Sequence, residues 1–201
     1  MAVSVRRDPA VRLLAGGDDV AAAAEVVASA FADYPYWVWI EPDPTLRRTL
    51  IRTYYRLDLA EMIAAGGSHG LPAQGSLYGV AIWLRSTDLV NGFANDASAA
   101  LGPAAARIER ALAAMEAMVP AEPHWYLDVL AVHRDHQGAG LGVRVLRPGL
   151  DRADDVGTGC YLETARPENV AWYERLDFAI TNEIDVDGLR LWGMWRPPSR
   201  S

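Results

Sequence analysis

Residues 125–132 (WYLDVLAV) run directly into a loop with glycine at every second position, Gly138, Gly140 and Gly142. No other stretch restricts the fold so tightly. The apolar run must be buried in a sheet. The glycines permit positive φ and let a ligand approach the backbone closely, and the sequence after Gly142 reads as a helix to about Asp154. A helix that begins in such a loop presents unpaired amide N–H groups at its positive end. A phosphate or pyrophosphate is the natural guest there, the alternative being a tight turn with no ligand.

The remaining sequence supplies the surroundings of that unit. Residues 11–14 are predicted as a short strand and 20–34 as an alanine-rich helix, capped by Asp18 or Asp19 and ended by Pro35. The aromatic segment 34–40 (YPYWVWI) connects it to a second helix over 45–65, with Leu46, Leu50, Leu57 and Ile63 at helical spacings. A weak strand near Leu71 and a stronger, doubly buried one over 77–84 flank the turn Gln74-Gly75-Ser76. Leu101, Ala105, Ile108, Leu112, Met115 and Val119 share one helical face. Residues 160–164 read as a strand, 169–175 as a short helix, and 178–184 and 189–195 as strands joined at Asp187-Gly188. Strands and helices mix without strict alternation. The expected class is therefore mixed α/β, a central twisted mixed sheet with helices on both faces, in a single domain over 1–201.

Charge and cysteine content narrow the function. Nineteen Lys+Arg against twenty-six Asp+Glu leave a formal charge of −7 with no basic face, so no nucleic-acid partner is expected. No apolar run reaches 18 residues, so no membrane partner is expected. The opening MAVSVRRDPAVRL has no apolar stretch behind its arginines and does not read as a signal peptide. The single cysteine, Cys160, excludes an internal disulfide and a Cys-based zinc cluster, and a cytoplasmic location is expected. His133 and His136 resemble a metal pair only superficially, no third ligand being evident, and no metal is expected.

Two nucleotide loops fail on spacing. A Walker loop needs Lys-Ser/Thr where Val143-Arg144 stands, and the glycines do not fit GxGxxG. Gln137-Gly138-Ala139-Gly140-Leu141-Gly142 instead resembles the Gln/Arg-x-x-Gly-x-Gly/Ala signature of the GNAT superfamily of acyl-CoA-dependent N-acyltransferases. AFADYP (30–35), DHQGAGLG (135–142), LETARPEN (162–169) and WYERLDF (172–178) resemble, in order and spacing, its puromycin N-acetyltransferase subgroup. The chain departs at Asp177, where glycine is usual, and at Ala139, where Lys or Arg is common; Arg144 and Arg147 on the next helix read as a solvated face, with partial replacement of that charge as the alternative.

The resemblance implies acetyl-CoA as cosubstrate, its pyrophosphate on the amides of 137–142 and its pantetheine amides along Leu130, Ala131 and Val132. It implies Tyr173 as the acid that protonates the departing thiolate, while Asn169 orients the pantetheine arm or caps its helix. The residues themselves add two acids. Asp128 and Glu163 sit inside apolar strands, where a carboxylate must face a wet cleft or a partner, as a base or in an ion pair. Tyr34, Tyr36, Trp37, Trp39, Trp125 and Trp172 are candidate walls of an acceptor pocket, with core packing as the alternative. The expected activity is N-acetylation of a small-molecule primary amine, an aminonucleoside antibiotic among the candidates. A peptide or protein N-acetyltransferase and a noncatalytic acyl-CoA-binding module are the alternatives, and a homodimer is left open.

Overall fold

In the computed structural model, which describes residues 10–88 and 100–199, the apolar run becomes the middle strand of a seven-stranded sheet. The elements are β1 (Arg12–Leu13), α1 (Gly17–Ala30), α2 (Pro35–Ile40), α3 (Pro44–Ala64), β2 (His69–Ala73), β3 (Ser76–Arg85), α4 (Ala105–Glu116) and β4 (His124–Val132). After the glycine loop follow α5 (Leu141–Asp155), β5 (Gly159–Thr164), α6 (Pro167–Glu174), β6 (Ala179–Val186) and β7 (Leu189–Arg196). The strand order is β1-β2-β3-β4-β5-β7-β6, and only the β4–β5 pair is parallel. The mixed class expected from the sequence is observed. Among the described residues no helix is long and apolar enough to cross a membrane.

Two apolar cores sandwich the sheet. One joins α1, α2, α3 and α4 to Val80, Ile82, Val129 and Ala131. The other packs Val145, Leu146 and Leu150 of α5 on Trp83, Trp125 and Leu127. The change of face between Leu127 and Val129 has a local cause. On β3, Ile82 pairs with Val129 and the next residue, Trp83, pairs with Leu127, so Asp128 is the extra residue of a β-bulge. The bulge reverses the side-chain alternation of β4 and sets Asp128 apart from both ladders.

Below the bulge β4 pairs with β5, but only through His124, Trp125 and Tyr126. Beyond that point the two strands part, and β4 keeps β3 alone as its neighbour. His133 N–H donates to the Tyr78 carbonyl, so by antiparallel alternation the peptide groups of Ala131 face β3, and those of Leu130 and Val132 face the gap.

Several local expectations need correction. Asp19 lies inside α1, where it accepts the Ala15 N–H (2.7 Å) and pairs with Arg12; the N-cap is Gly16. The 34–40 connection is helical, because Pro35 stands at its first turn. The buried stripe of α3 is Arg47, Ile51, Tyr54, Tyr55, Leu59 and Ile63, while Leu46 and Leu57 are exposed. Arg47 can face inward because its guanidinium donates to the carbonyls of Ala32, Glu41 and Pro42. Asp177 adopts φ 66°, the left-handed turn that the substitution for glycine demands.

Candidate active site

Where β4 and β5 part, two hollows open toward each other. The first, a cleft of about 390 Å³, runs along Leu130–Val132, the glycine loop and the start of α5 to Arg166, Trp172 and Tyr173. The second, a cavity of about 110 Å³, lies on the α1–α4 face of the sheet. Phe31, Tyr34, Leu130, Asn169 and Tyr173 line both and mark their junction.

The cleft has the construction that an anionic, amide-rich ligand requires. Gly138 and Gly140 hold φ 79° and 74°, and Gly140 is the N-cap of α5 with no side-chain cap. The first amides of α5 therefore face the loop opening unpaired by a side chain. A Cβ on Gly142 would stand in ordinary contact with Trp172 (3.7 Å) and Val132 (3.9 Å), so this residue packs the loop against the cleft wall. Gln137 donates its side-chain amide to the Val132 carbonyl (3.0 Å), tying the loop to the end of β4. Ala139 is exposed between the two left-handed glycines, and Leu141 lines the cleft. The peptide groups of Leu130 and Val132 point into the gap. Ala131, expected to share that role, does not: its carbonyl faces β3, only 3.0 Å from where a Cβ on Gly79 would stand.

At the junction, Tyr173 is buried, edge-on to Trp172 (centroids 4.9 Å apart) and to Phe178 (5.5 Å). Burial, with a smaller contribution from Tyr34, pushes its phenol far above the ordinary value, so it stays protonated. Asn169 lies in the first turn of α6, but the N-cap is Arg166, so capping is not its role. Its amide donates to Thr164 Oγ1 (3.2 Å). Tyr34 Oη accepts the Ala165 N–H (2.7 Å) and lies 2.9 Å from the same Thr164 oxygen. Arg166 stacks 5.4 Å above the Tyr34 ring. One hydrogen-bonded cluster thus fixes the wall between the hollows.

The inner cavity is aromatic and acidic. Tyr36, Trp37, Tyr54, Tyr55 and Tyr126 line it with Asp128 and Glu163. Glu163 Oε2 accepts from the Tyr126 hydroxyl at 2.6 Å, whereas Oε1 is buried with no hydrogen-bond partner. Burial raises the Glu163 carboxyl to about 7, against the lowering by its tyrosine hydrogen bonds. Asp128 is raised well above its ordinary value, by burial first and then by the charges of Asp58 and Glu163. Asp58 of α3 was not singled out from the sequence. Burial raises it to about 6, opposed by a hydrogen bond from Tyr54. Its signal is its place four residues after Tyr54, on the inward stripe of α3.

Three expected pocket residues lie elsewhere. Trp125 belongs to the opposite core, against Gly67 and beneath the Arg152 guanidinium (4.6 Å), because it precedes the bulge. Trp172 lines the cleft and not the inner cavity. Trp39 lies outside the cavity wall and donates to the Asp187 carbonyl (3.2 Å). Among the described residues no group of three or more His, Cys, Asp or Glu is arranged to hold a metal ion.

The model of the acetyltransferase (GNAT) family matches residues 87–178. A Corynebacterium glutamicum protein described as "histone acetyltransferase HPA2 and related acetyltransferase" superposes with a TM-score of 0.70 at 25% identity, covering 97% of this chain and 99% of that one. Arylalkylamine N-acetyltransferase 2 from Aedes aegypti has a TM-score of 0.63 at 14% identity, covering 94% and 99%. PaiA N-acetyltransferase from Thermoplasma acidophilum, solved with coenzyme A, has a TM-score of 0.58 at 16% identity, covering 93% and 97%. The family model covers just under half of the chain, and the superpositions show that the fold is shared with these acetyltransferases.

Proposed function

We propose that this chain acetylates a small-molecule primary amine, held in the inner cavity, from acetyl-CoA held in the outer cleft. The observation that carries this reading is the junction. Tyr173 and Asn169 line both hollows, so an amine nitrogen and an acyl group can meet beside a buried phenol. The C=O and N–H groups of Leu130 and Val132 suit a pantetheine arm, and the amides after Gly140 suit its pyrophosphate. When bound, acetyl-CoA supplies the activated acyl carbon.

The residues supply the proton traffic. An amine must be neutral to attack, and Glu163, with its proton leaving near pH 7, is matched to accept the ammonium proton at neutral pH. The C–N bond then forms, the C–S bond breaks, and Tyr173 Oη donates its proton to the sulfur. The proton still carried by the acylated nitrogen is released through the tyrosine to solvent. A buried phenol is a reluctant acid, yet a buried thiolate is a correspondingly strong base: burial in this protein raises the Cys160 thiol to about 12. The enclosed aromatic cavity favours a small amine over a peptide end, which needs an open groove.

The test is release of CoA thiol from acetyl-CoA across a panel of primary amines, puromycin included. Turnover on a small amine supports the reading. Turnover on puromycin alone would move the acceptor to an aminonucleoside body, which requires a pocket of several hundred Å³. Acetyl-CoA binding without turnover on any amine would replace the enzyme by a binding module.

A further inference from the structure

The inner cavity holds more acid than one reacting amine can use. Asp128 and Glu163 line it from β4 and β5, and Asp58 stands behind Tyr54. No lysine or arginine is among the described residues that line it. Carboxylates withdrawn from water without a cation are costly unless something neutralises them. Neither Asp128 nor Glu163 has an ion-pair partner among the described residues. Two further observations point to a ligand. Glu163 Oε1 is a buried oxygen with no hydrogen-bond partner, on a residue that lines the cavity. The facing wall is built from the rings of Tyr36, Trp37, Tyr54 and Tyr55, whose faces attract organic cations.

Charge balance then decides the class of acceptor. A monoamine enters as one cation, gives its proton to Glu163 and becomes neutral, leaving Asp128 and Asp58 to be neutralised by protons alone, so that neither carboxyl contributes a charge to holding it. An amine with a second cationic group leaves that group in place. We propose that the acceptor is a dicationic aliphatic amine, whose reacting nitrogen lies between Glu163 and Tyr173 and whose distal ammonium is held by Asp128, backed by Asp58, against the tyrosine wall. The bulge at Asp128 serves this role, since the extra residue turns its carboxylate out of the β3–β4 ladder. The inference rests on the N-acetyltransferase reading and specifies its substrate.

The experiment compares α,ω-diamines of three to eight carbons with n-alkylamines of equal length, scored by kcat/KM for thiol release and by the mass of a monoacetylated product. The best diamine should exceed its matched monoamine by at least about 50-fold, the scale of a desolvated charge pair. Asp128→Asn should bring that ratio to within about fivefold of unity. Equal use of diamines and monoamines by the unmodified protein overturns the proposal, whatever the variant does. If no amine is turned over, the catalytic reading fails, and calorimetry on the CoA-loaded protein still decides. Tighter binding of 1,5-diaminopentane than of pentylamine by the same margin sustains the dication site, and equal binding removes it.

Discussion

Replacing Glu163 with Gln should make the protein more stable and less active at the same pH. The carboxyl releases its proton near pH 7 in the folded chain, against an ordinary value of 4.5 that applies once the chain unfolds. Below 4.5 both states hold the proton and the site is neutral to stability. As pH rises through the interval the unfolded carboxyl ionises first, so the folded state loses ground until its own group ionises. Above pH 7 the cost is constant at about 3 kcal/mol. Glutamine never ionises and keeps an oxygen for the Tyr126 hydroxyl. Relative to the parent, Glu163→Gln should therefore gain about 1 kcal/mol at pH 5.5 and about 3 kcal/mol at pH 8. Urea unfolding at half-unit pH intervals measures this directly. Over the same range kcat/KM should fall by about 100-fold, with loss of the inflection near 7. A stability difference that is flat with pH, or that grows as pH falls, would falsify the assignment of Glu163 as a buried carboxyl poised for proton transfer.

Three other substitutions test separate parts of the argument. Tyr173→Phe keeps the ring among Trp172 and Phe178, so CoA affinity by calorimetry should stay within about twofold while turnover falls at least about 100-fold; unchanged turnover removes the phenol from the mechanism. Gly142→Ala meets no protein atom closer than 3.7 Å and improves the helix, so stability should rise by about 0.5–1 kcal/mol. CoA affinity should drop about tenfold because the methyl, against Trp172 and Val132, narrows the cleft at the loop, and unaltered affinity would place CoA elsewhere. Gly149→Ala puts a methyl 2.1 Å from Trp83 Nε1 and should cost about 1–3 kcal/mol in urea unfolding, without a proportionate change in the CoA dissociation constant.

What the sequence disclosed, and what it hid, follows from the range of the forces involved. The 125–132 strand and the glycine loop were legible because their pattern is local; on the 101–119 segment the buried stripe is Leu101, Ala104, Ile108, Ala111 and Met118, one step off the expected Ala105, Leu112 and Val119. The stripe of α3 was misread, since leucines outrank an arginine in any hydropathy count. Only the folded chain brings the carbonyls of Ala32, Glu41 and Pro42 to Arg47. Trp125 was assigned to the pocket because nothing in WYLDVLAV announces the bulge, which arises from the register of β4 on β3. Asp128 and Glu163 stood out as acids in apolar strands. Asp58 did not, because its spacing from Tyr54 gives it a face of α3 but not its neighbour, Asp128 on β4, whose charge it meets only in the folded chain.

The three-residue seam between β4 and β5 also bears on how the molecule holds together over time. Strands β1–β4 and β5–β7 form two ladders joined at one end, and such a junction is a natural boundary between cooperative opening units. A ligand in the cleft touches β4 on one side and α6, which follows β5, on the other, and acts as a clamp. The Leu130 and Val132 amides should then exchange hydrogen quickly in the free protein and slowly once CoA is bound. Protection should spread to the β6–β7 hairpin, which does not line the cleft, so that substrate occupancy itself sets how often residues 159–196 come open.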